Sequence, residues 1–353
     1  MSLNIDDATD DRTSLKVSSR VLLKRWVSHH SVLIGRAHIR GQQPCQDRSH
    51  GETYRDRLVA VVCDGAGSCA MSHKGADFCC RQLPKMLKSK KLTEALLRAT
   101  LAELQVALKR YAESLGVSPK ELSCTLNMVI ITQQLSWFVQ LGDSIALAQS
   151  SSDEWAQEPM NGEYSNETFF ITHPRAPELA KISRIYLNDE LLLLCTDGVS
   201  GSLVSYQQGR KPRFAPVVSK LRELTAQSPA HQIDEVLNSQ LMPLFQGKTF
   251  DDCGIAVIYG SEVMVDWLQP STLKELITGL FPDQDKRILQ KKSKILAVLL
   301  EIIFNENPDY RGSLWSQCKK PPMIQKVAKV TKVPKKTVLR LLRSLPMIEL
   351  ARG

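Results

Sequence analysis

The stretch RLVAVVCDGAGS, Arg57 to Ser68, decides the fold. Leu58 to Cys63 is a continuous apolar and thiol run, which reads as a buried strand. It opens directly onto Asp64 and then Gly65, Ala66, Gly67 and Ser68. The arrangement returns in ELLLLCTDGVSG, Glu190 to Gly201, where Asp197 follows a second apolar run. A carboxylate at the mouth of a buried strand is costly unless something there uses its charge.

Three further motifs place acids at expected strand edges. They are QDR with Asp47, LGDS with Asp143 and FDDCG with Asp251 and Asp252. Taken singly, an Asp-Gly pair is an ordinary turn dipeptide. Taken in order, the set reads strand–DG–GS, then GDS, then strand–DG, then DD before a last strand. Converging carboxylates repel each other and need positive charge between them. Hard divalent cations with oxygen ligands supply it, and a glycine after the acid lets a backbone carbonyl approach the ion. Two such ions sharing a water would lower its pKa and give a nucleophile at neutral pH.

The ordered set resembles the protein phosphatase 2C family of metal-dependent Ser/Thr phosphatases, in its compact bacterial branch. SCTLNMVII, Ser123 to Ile131, is similar to the Thr-containing strand of that family, and VQLGDSIAL to its Gly-Asp-Ser hairpin. The resemblance spans roughly Ser31 to Gly260. It implies an α+β fold, a four-layer αββα sandwich of two antiparallel sheets flanked by helices. It also implies two or three Mn²⁺ or Mg²⁺ ions. Asp64 would bridge two of them, with the Gly65 carbonyl on one. Asp197 and Asp251 would hold the second, Asp47 would act through a metal-bound water, and Asp143 would support a third ion beside Asp197. Asp251 is preferred over Asp252 because the first acid of this pair is the ligand in the family. The reaction implied is hydrolysis of phospho-Ser/Thr by a metal-bridging hydroxide without a phosphoenzyme, so the cysteines need no catalytic part.

Two departures stand out. Larger members have a histidine where this chain has Ala66, which leaves His73 or solvent to protonate the leaving group. Where the phosphate-binding arginine of the family usually lies, this chain has Gln42. Arg36 and Arg40 are nearby, and Arg40, at the expected strand exit, is the better substitute.

The body shows further strand signals at Ser31–Ile39, Thr125–Thr132, Leu135–Gln149, Thr168–Ile171 and Cys253–Gly260. Helices are expected over Gly75–Lys90, kinked at Pro84, and over Ala215–Ala226 and Pro229–Phe245, the last capped by Ser228. The clearest helix follows Thr93, with Leu97, Leu101, Leu104, Leu108, Tyr111 and Leu115 at steps of three and four and Gly116 to end it. Sheets with helices outside follow from this mixture.

The chain has 353 residues and a net charge of +9. Ser271 to Gly353 carries 17 Lys plus Arg against 7 Asp plus Glu, so nearly all the excess lies in the tail. A shift of that kind marks a boundary and points to a polyanionic partner. The expected division is an N-terminal extension over 1–30, a phosphatase domain over 31–262 and a basic all-α domain over 263–353. DKRILQKKSKILAVLLEIIFNEN reads as one amphipathic helix. PPMIQKVAKVTKVPKKTVLRLLRSL, Pro321 to Leu345, has a helix-turn-helix rhythm. Val327 and Ala328 pack its first helix, Val333 closes the turn, and Val338, Leu341, Leu342 and Leu345 share one face of the second, while Lys332 stands at the usual turn glycine. Lys335, Lys336, Arg340 and Arg343 would face DNA or an acidic protein. A basic face that only docks on the body is the plainer alternative, and a catalytically weak regulator acting through this tail is the second reading of the whole chain.

The nine cysteines have no CxxC spacing, which argues against a disulfide scaffold or a structural zinc site. Cys45, Cys63, Cys195 and Cys253 each lie within two residues of one of the acids and read as small core residues rather than redox sensors. No apolar run approaches the length of a membrane helix, and the acidic start MSLNIDDATDDRTS is unlike a secretory signal. A cytoplasmic protein without membrane contact is therefore expected, with phosphoproteins such as a Ser/Thr kinase or its target as substrates.

Overall fold

Arg57–Cys63 is buried along its whole length because both of its faces are covered. In the computed structural model the described residues are 20–132, 135–150, 153–160, 168–185, 191–206, 211–228, 230–266, 270–280, 284–307, 310–318, 321–345 and 348–352.

The chain runs β1 (Arg20–Leu33), α1 (Arg36–Gly41), β2 (Arg48–Thr53), β3 (Arg57–Cys63), α2 (Ser72–Leu87) and α3 (Glu94–Leu115). A one-turn 3₁₀ helix (Pro119–Leu122) leads to β4 (Leu126–Thr132), β5 (Ser136–Leu141), β6 (Ile145–Gln149), β7 (Glu154–Ala156), α4 (Ala176–Leu179), β8 (Lys181–Ile185) and β9 (Leu191–Cys195). Next come α5 (Asp197–Leu203), β10 (Val204–Ser205), β11 (Arg213–Phe214), α6 (Pro216–Gln227), α7 (Ala230–Val236), α8 (Met242–Gln246) and β12 (Cys253–Asp266). The tail adds α9 (Pro270–Leu280), α10 (Lys286–Glu306), β13 (Gly312–Ser313), α11 (Leu314–Cys318), α12 (Pro321–Thr331), α13 (Lys335–Ser344) and β14 (Glu349–Arg352).

Two antiparallel sheets result, one ordered β2-β3-β4-β5-β8 and the other β13-β14-β1-β12-β9-β6-β7. Period-two alternation divides their side chains. Leu58, Ala60 and Val62 point inward with Val129, Ile131 and Phe138, and meet Ala146, Leu192, Leu194, Ala256 and Ile258 of the facing sheet. Val59, Val61 and Cys63 point outward beneath Leu83, Leu97, Leu101 and Leu104 of α2 and α3. The outer face of the second sheet, including Cys195 and Cys253, lies under Val218, Leu221, Ile233 and Phe245 of α6 to α8. This is the expected four-layer αββα sandwich, and Cys63, Cys195 and Cys253 serve as small packing residues at helix–sheet contacts, whereas Cys45 lies half-buried in the loop before β2.

Helix α3 starts and stops as its sequence directs. The Thr93 hydroxyl accepts the Leu96 N–H at 3.1 Å, and Gly116 ends the helix at a φ of +69°. Other expectations need correction. The strand at Ser31–Ile39 stops at Leu33, and Arg36–Gly41 is a short helix closed by Gln42 in the left-handed conformation. Thr168–Ile171 is not a strand. Its Ile171 N–H bonds the Cys124 carbonyl at 2.9 Å, so the segment crosses strand ends instead of pairing lengthwise. The helix expected over Pro229–Phe245 does form, running without a gap from Ala230 to Gln246, but with a π turn over Leu237–Leu241 where Pro243 cannot donate to the helical ladder. Ser228 closes α6, and Pro229 lies outside the described residues.

The tail is tied to the body by a shared sheet. β1 and β12 pair along 14 residues each and run past the limits expected at 30 and 262. Strand β14 adds to the edge of β1, with Val21 opposite Arg352 and Lys24 opposite Glu349. Leu23 of β1 is buried among Leu276, Leu296, Leu300, Val338 and Leu350 of the tail. Within the tail, Asp285 caps α10 by accepting the Arg287 N–H at 2.7 Å. Helices α12 and α13 meet across a tight turn in which Lys332 takes a φ of +56°.

Candidate active site

Strand register gathers the acids at one end of the sandwich. Arg48 pairs with Cys63, and Cys195 pairs with both Ile145 and Ile255. Asp47, Asp64, Asp143, Asp197 and Asp251 therefore leave the sheets at the same edge, one from each of five chain segments. Each segment is positioned by a polar side chain. The Asp64 N–H is held by the Thr125 hydroxyl at 3.0 Å, and Thr125 is in turn 2.8 Å from the Ser144 hydroxyl. The Thr196 hydroxyl donates to Asp47 Oδ2 at 2.7 Å and accepts the Gly254 N–H at 2.9 Å. Thr168 donates to Asp143 Oδ2 at 2.9 Å, while Asp143 Oδ1 is buried without a hydrogen-bond partner.

Gly65 has no room for a side chain, since a Cβ there would lie 2.9 Å from both the Gln46 carbonyl and the Ser72 hydroxyl. The loop before β2 is thereby pressed against the Asp64–Gly65 corner.

The two acids of FDDCG do different work. Asp252 is 2% exposed, and its carboxylate accepts the Gly35 N–H at 2.5 Å, the Gln46 N–H at 2.5 Å and His38 Nδ1 at 2.8 Å. Its oxygens are occupied by the loop that carries Asp47. Asp251 is exposed and acts electrostatically on Asp47, Asp64 and Asp197.

Burial pushes the Asp47 and Asp64 carboxyls well above the usual carboxylate range. The neighbouring carboxylates push both further, with only the Thr196 hydrogen bond acting the other way on Asp47. Asp197, at the mouth of the cleft, is raised to about 6 by removal from water and by the charges of Asp251 and Asp143. The largest charge effects on these three groups all come from other carboxylates. A chain that assembles acids in this way leaves the balancing charge to something it does not itself contain.

Arg40 lies beside Phe250, the chain neighbour of Asp251. It lies exposed on α1, not at a strand exit, with its guanidinium carbon 5.7 Å from the Phe250 ring centre. Arg36 lies over the same ring at 4.4 Å and donates from Nε to the Thr249 carbonyl at 2.9 Å. His73 sits in the first turn of α2, where burial, then the charges of Arg48 and Lys74, lower its pKa. Lys335, Lys336, Arg340 and Arg343 are exposed on α13, which carries no acid. Sequence reasoning missed Thr125, Thr196 and Asp252 as positioning residues. A polar Thr196 closing an apolar run was the available signal.

The sequence pattern of the protein phosphatase 2C family matches residues 34–241, which includes all of the clustered acids except Asp251.

This chain belongs to the protein phosphatase 2C family.

It is a phosphoprotein phosphatase by that membership. A similar curated relative is serine/threonine-protein phosphatase 3 of Escherichia coli K12, 23% identical over 252 residues, or 67% of this chain and 99% of the relative. A solved serine/threonine phosphatase of S. agalactiae superposes with a TM-score of 0.50 at 14% identity, covering 67% of this chain and 99% of its own. A bacterial serine phosphatase carrying an Arg-to-Lys substitution gives 0.50 at 16% identity, over 67% and 98%. At these identities the two structures speak for the fold alone.

Protein phosphatases 2C are metal-dependent, and the donors in this cleft suit hard cations. They are carboxylate oxygens, one of them orphaned on Asp143, beside a glycine where backbone can approach closely. Among the described residues no three His, Cys, Asp or Glu side chains are arranged to hold one ion by themselves.

Proposed function

We propose that this protein phosphatase 2C hydrolyses phosphoserine and phosphothreonine in proteins with two or three Mn²⁺ or Mg²⁺ ions held in the carboxylate cleft. The observation that carries this reading is the gathering of Asp47, Asp64, Asp143, Asp197 and Asp251 at one end of the sandwich, where the largest charges acting on Asp47, Asp64 and Asp197 are those of other carboxylates in the set. Asp64 and the Gly65 carbonyl would hold the first ion. Asp197 and Asp251 would draw in with Asp64 to hold the second, Asp47 would act through water, and Asp143 with Asp197 would take a third. Divalent cations bound there supply an activated water and neutralise phosphoryl charge, so attack on phosphorus needs no covalent enzyme intermediate.

The chain's own residues hold this arrangement in place. Thr125 fixes the Asp64 backbone, Thr196 orients Asp47, and Asp252 clamps the loops on either side. Asp251 is the ligand in this reading because Asp252 has its oxygens engaged. With its pKa lowered, His73 is neutral at pH 7, and the reading assigns protonation of the leaving Ser/Thr oxygen to solvent. Arg40, free of any ion pair with the cluster, is the cation left to meet the substrate phosphate. Substrates are phosphoproteins, including a Ser/Thr kinase or its target. The basic segment 263–353 is a separate unit in function that shares the sheet of the 31–262 body.

The test is hydrolysis of a phosphothreonine peptide by the full chain. Release of phosphate with added Mn²⁺ or Mg²⁺, lost on chelation and restored by the metal, is the expected result. Undiminished release in chelator would reject the reading.

A further inference from the structure

We propose that the cleft between the β2–β3 turn and the C-terminal helices is a second anion site, built for a phosphate-bearing ligand and distinct from the carboxylate cleft. A cavity of about 420 Å³ lies at this seam. Arg55, Lys88 and Arg343 converge on it from the β2–β3 turn, the end of α2 and the end of α13.

None of these three cations forms an ion pair with a described residue. Arg55 lies over the Trp315 ring at 4.8 Å, and Lys88 lies 5.5 Å from the Tyr54 ring centre. The cavity has one carboxylate in its wall, Asp56, and that group is already engaged. Arg57 donates to it twice, from Nε at 3.2 Å and from Nη2 at 2.8 Å. The seam is thus the electrostatic converse of the active site, with like positive charges gathered and their counter-charge missing.

The donor chemistry selects the ligand. Two planar guanidiniums suit paired oxygens of one anion, and the Lys88 ammonium adds a point charge. The hydroxyls of Thr53, Ser89 and Ser344 also line the cavity and can donate to the remaining oxygens. A phosphate monoester offers three such oxygens and close to two negative charges at pH 7. The Trp315 and Tyr54 rings, with Arg55 and Lys88 over them, hold two of the cations at the cavity wall. The ligand would bridge body and tail, because Arg55 and Lys88 belong to one and Trp315 and Arg343 to the other.

Titration calorimetry on the full chain in chelator, at low ionic strength, tests this with the active site stripped of metal. Inorganic phosphate, AMP and a phosphothreonine peptide are the three probes. Saturable binding is expected, weakened at least tenfold in Lys88→Glu and in Arg343→Glu, and retained in Asp64→Asn. Tighter binding of AMP than of phosphate identifies a nucleotide as the ligand. Tighter binding of the peptide identifies a phosphorylated protein segment, and equal binding identifies phosphate itself. Lys88→Gln and Arg343→Gln, which remove the charge without reversing it, serve should a Glu variant fail to fold. No saturable binding of any probe, or binding unchanged in both seam variants, would overturn the proposal.

Discussion

The carboxylate of Asp252 accepts the backbone N–H of Gln46, 206 positions earlier, at 2.5 Å. That bond, with those from Gly35 and His38, anchors the loop carrying Asp47 to the start of β12. Asp251, its chain neighbour, is exposed and acts electrostatically on Asp47, Asp64 and Asp197. Stability should therefore separate the two. Asp252→Asn turns an N–H donor toward donors and should cost about 2 kcal/mol in urea unfolding. Asp251→Asn, measured without metal, should cost nothing or stabilise slightly, since it removes a repelling charge. Equal losses in the two variants would contradict this division.

A pH dependence follows from Asp197, whose folded-state pKa of about 6 lies above its ordinary value of 3.8. Between those values the folded protein binds more protons at this site than the unfolded chain, so its contribution to stability falls as pH rises and levels off above about 6. Asp47 and Asp64, also raised, act in the same sense. In chelator, the Tm of wild type relative to Asp197→Asn should decline from pH 4 to pH 6.5. Added Mn²⁺ at pH 7 should reverse the deficit. A difference that is flat over this range would show that Asp197 is not perturbed.

Close backbone approach gives a third expectation. A Cβ on Gly198 would stand 1.9 Å from the Asp252 carbonyl oxygen, which joins the start of α5 to the loop before β12. Gly198→Ala must part them, at about 1–3 kcal/mol in denaturant melts. Because Asp197 and Asp251 move apart with them, phosphatase activity should fall as well.

Lys332 offers a change in the opposite direction. It holds a φ of +56° at the α12–α13 turn, where a side chain is strained and glycine is not. Lys332→Gly should stabilise by about 1 kcal/mol, read as a higher urea midpoint at unchanged slope. A destabilised variant would mean that the lysine side chain makes a contact worth more than the strain.

The order of the Asp motifs was legible because Asp64, Asp143, Asp197 and Asp251 lie beside strands whose apolar runs are unmistakable, whereas Asp47 precedes the polar strand β2, RSHGET, which no hydrophobic pattern announces. Buried on both faces, β3 and β9 read as continuous hydrophobic stretches, and register then brings their ends together. The α3 helix was legible from Thr93 to Gly116 for the same local reasons. What escaped was set by distant parts of the chain. Leu33 ends β1 because α1 docks on the loop before β12, where the Ala37 N–H meets the Phe250 carbonyl at 2.9 Å. Strand β14 is a four-residue piece that joins the sheet by pairing with β1, far away in the chain, and with the two-residue β13. Asp252 and Thr196 act through partners far along the chain, which local spacing cannot reveal.

The central claim is that the carboxylates of this protein phosphatase 2C work by holding divalent cations, and Asp64 stands where most of them meet. The most direct measurement is phosphate release from a phosphothreonine peptide as Mn²⁺ is titrated into wild type and Asp64→Asn, with the fold of each followed by circular dichroism. The account predicts saturable Mn²⁺-dependent release in wild type, and in the folded variant a loss of at least a hundredfold that added metal does not recover. A folded Asp64→Asn protein with the wild-type Mn²⁺ response would contradict it.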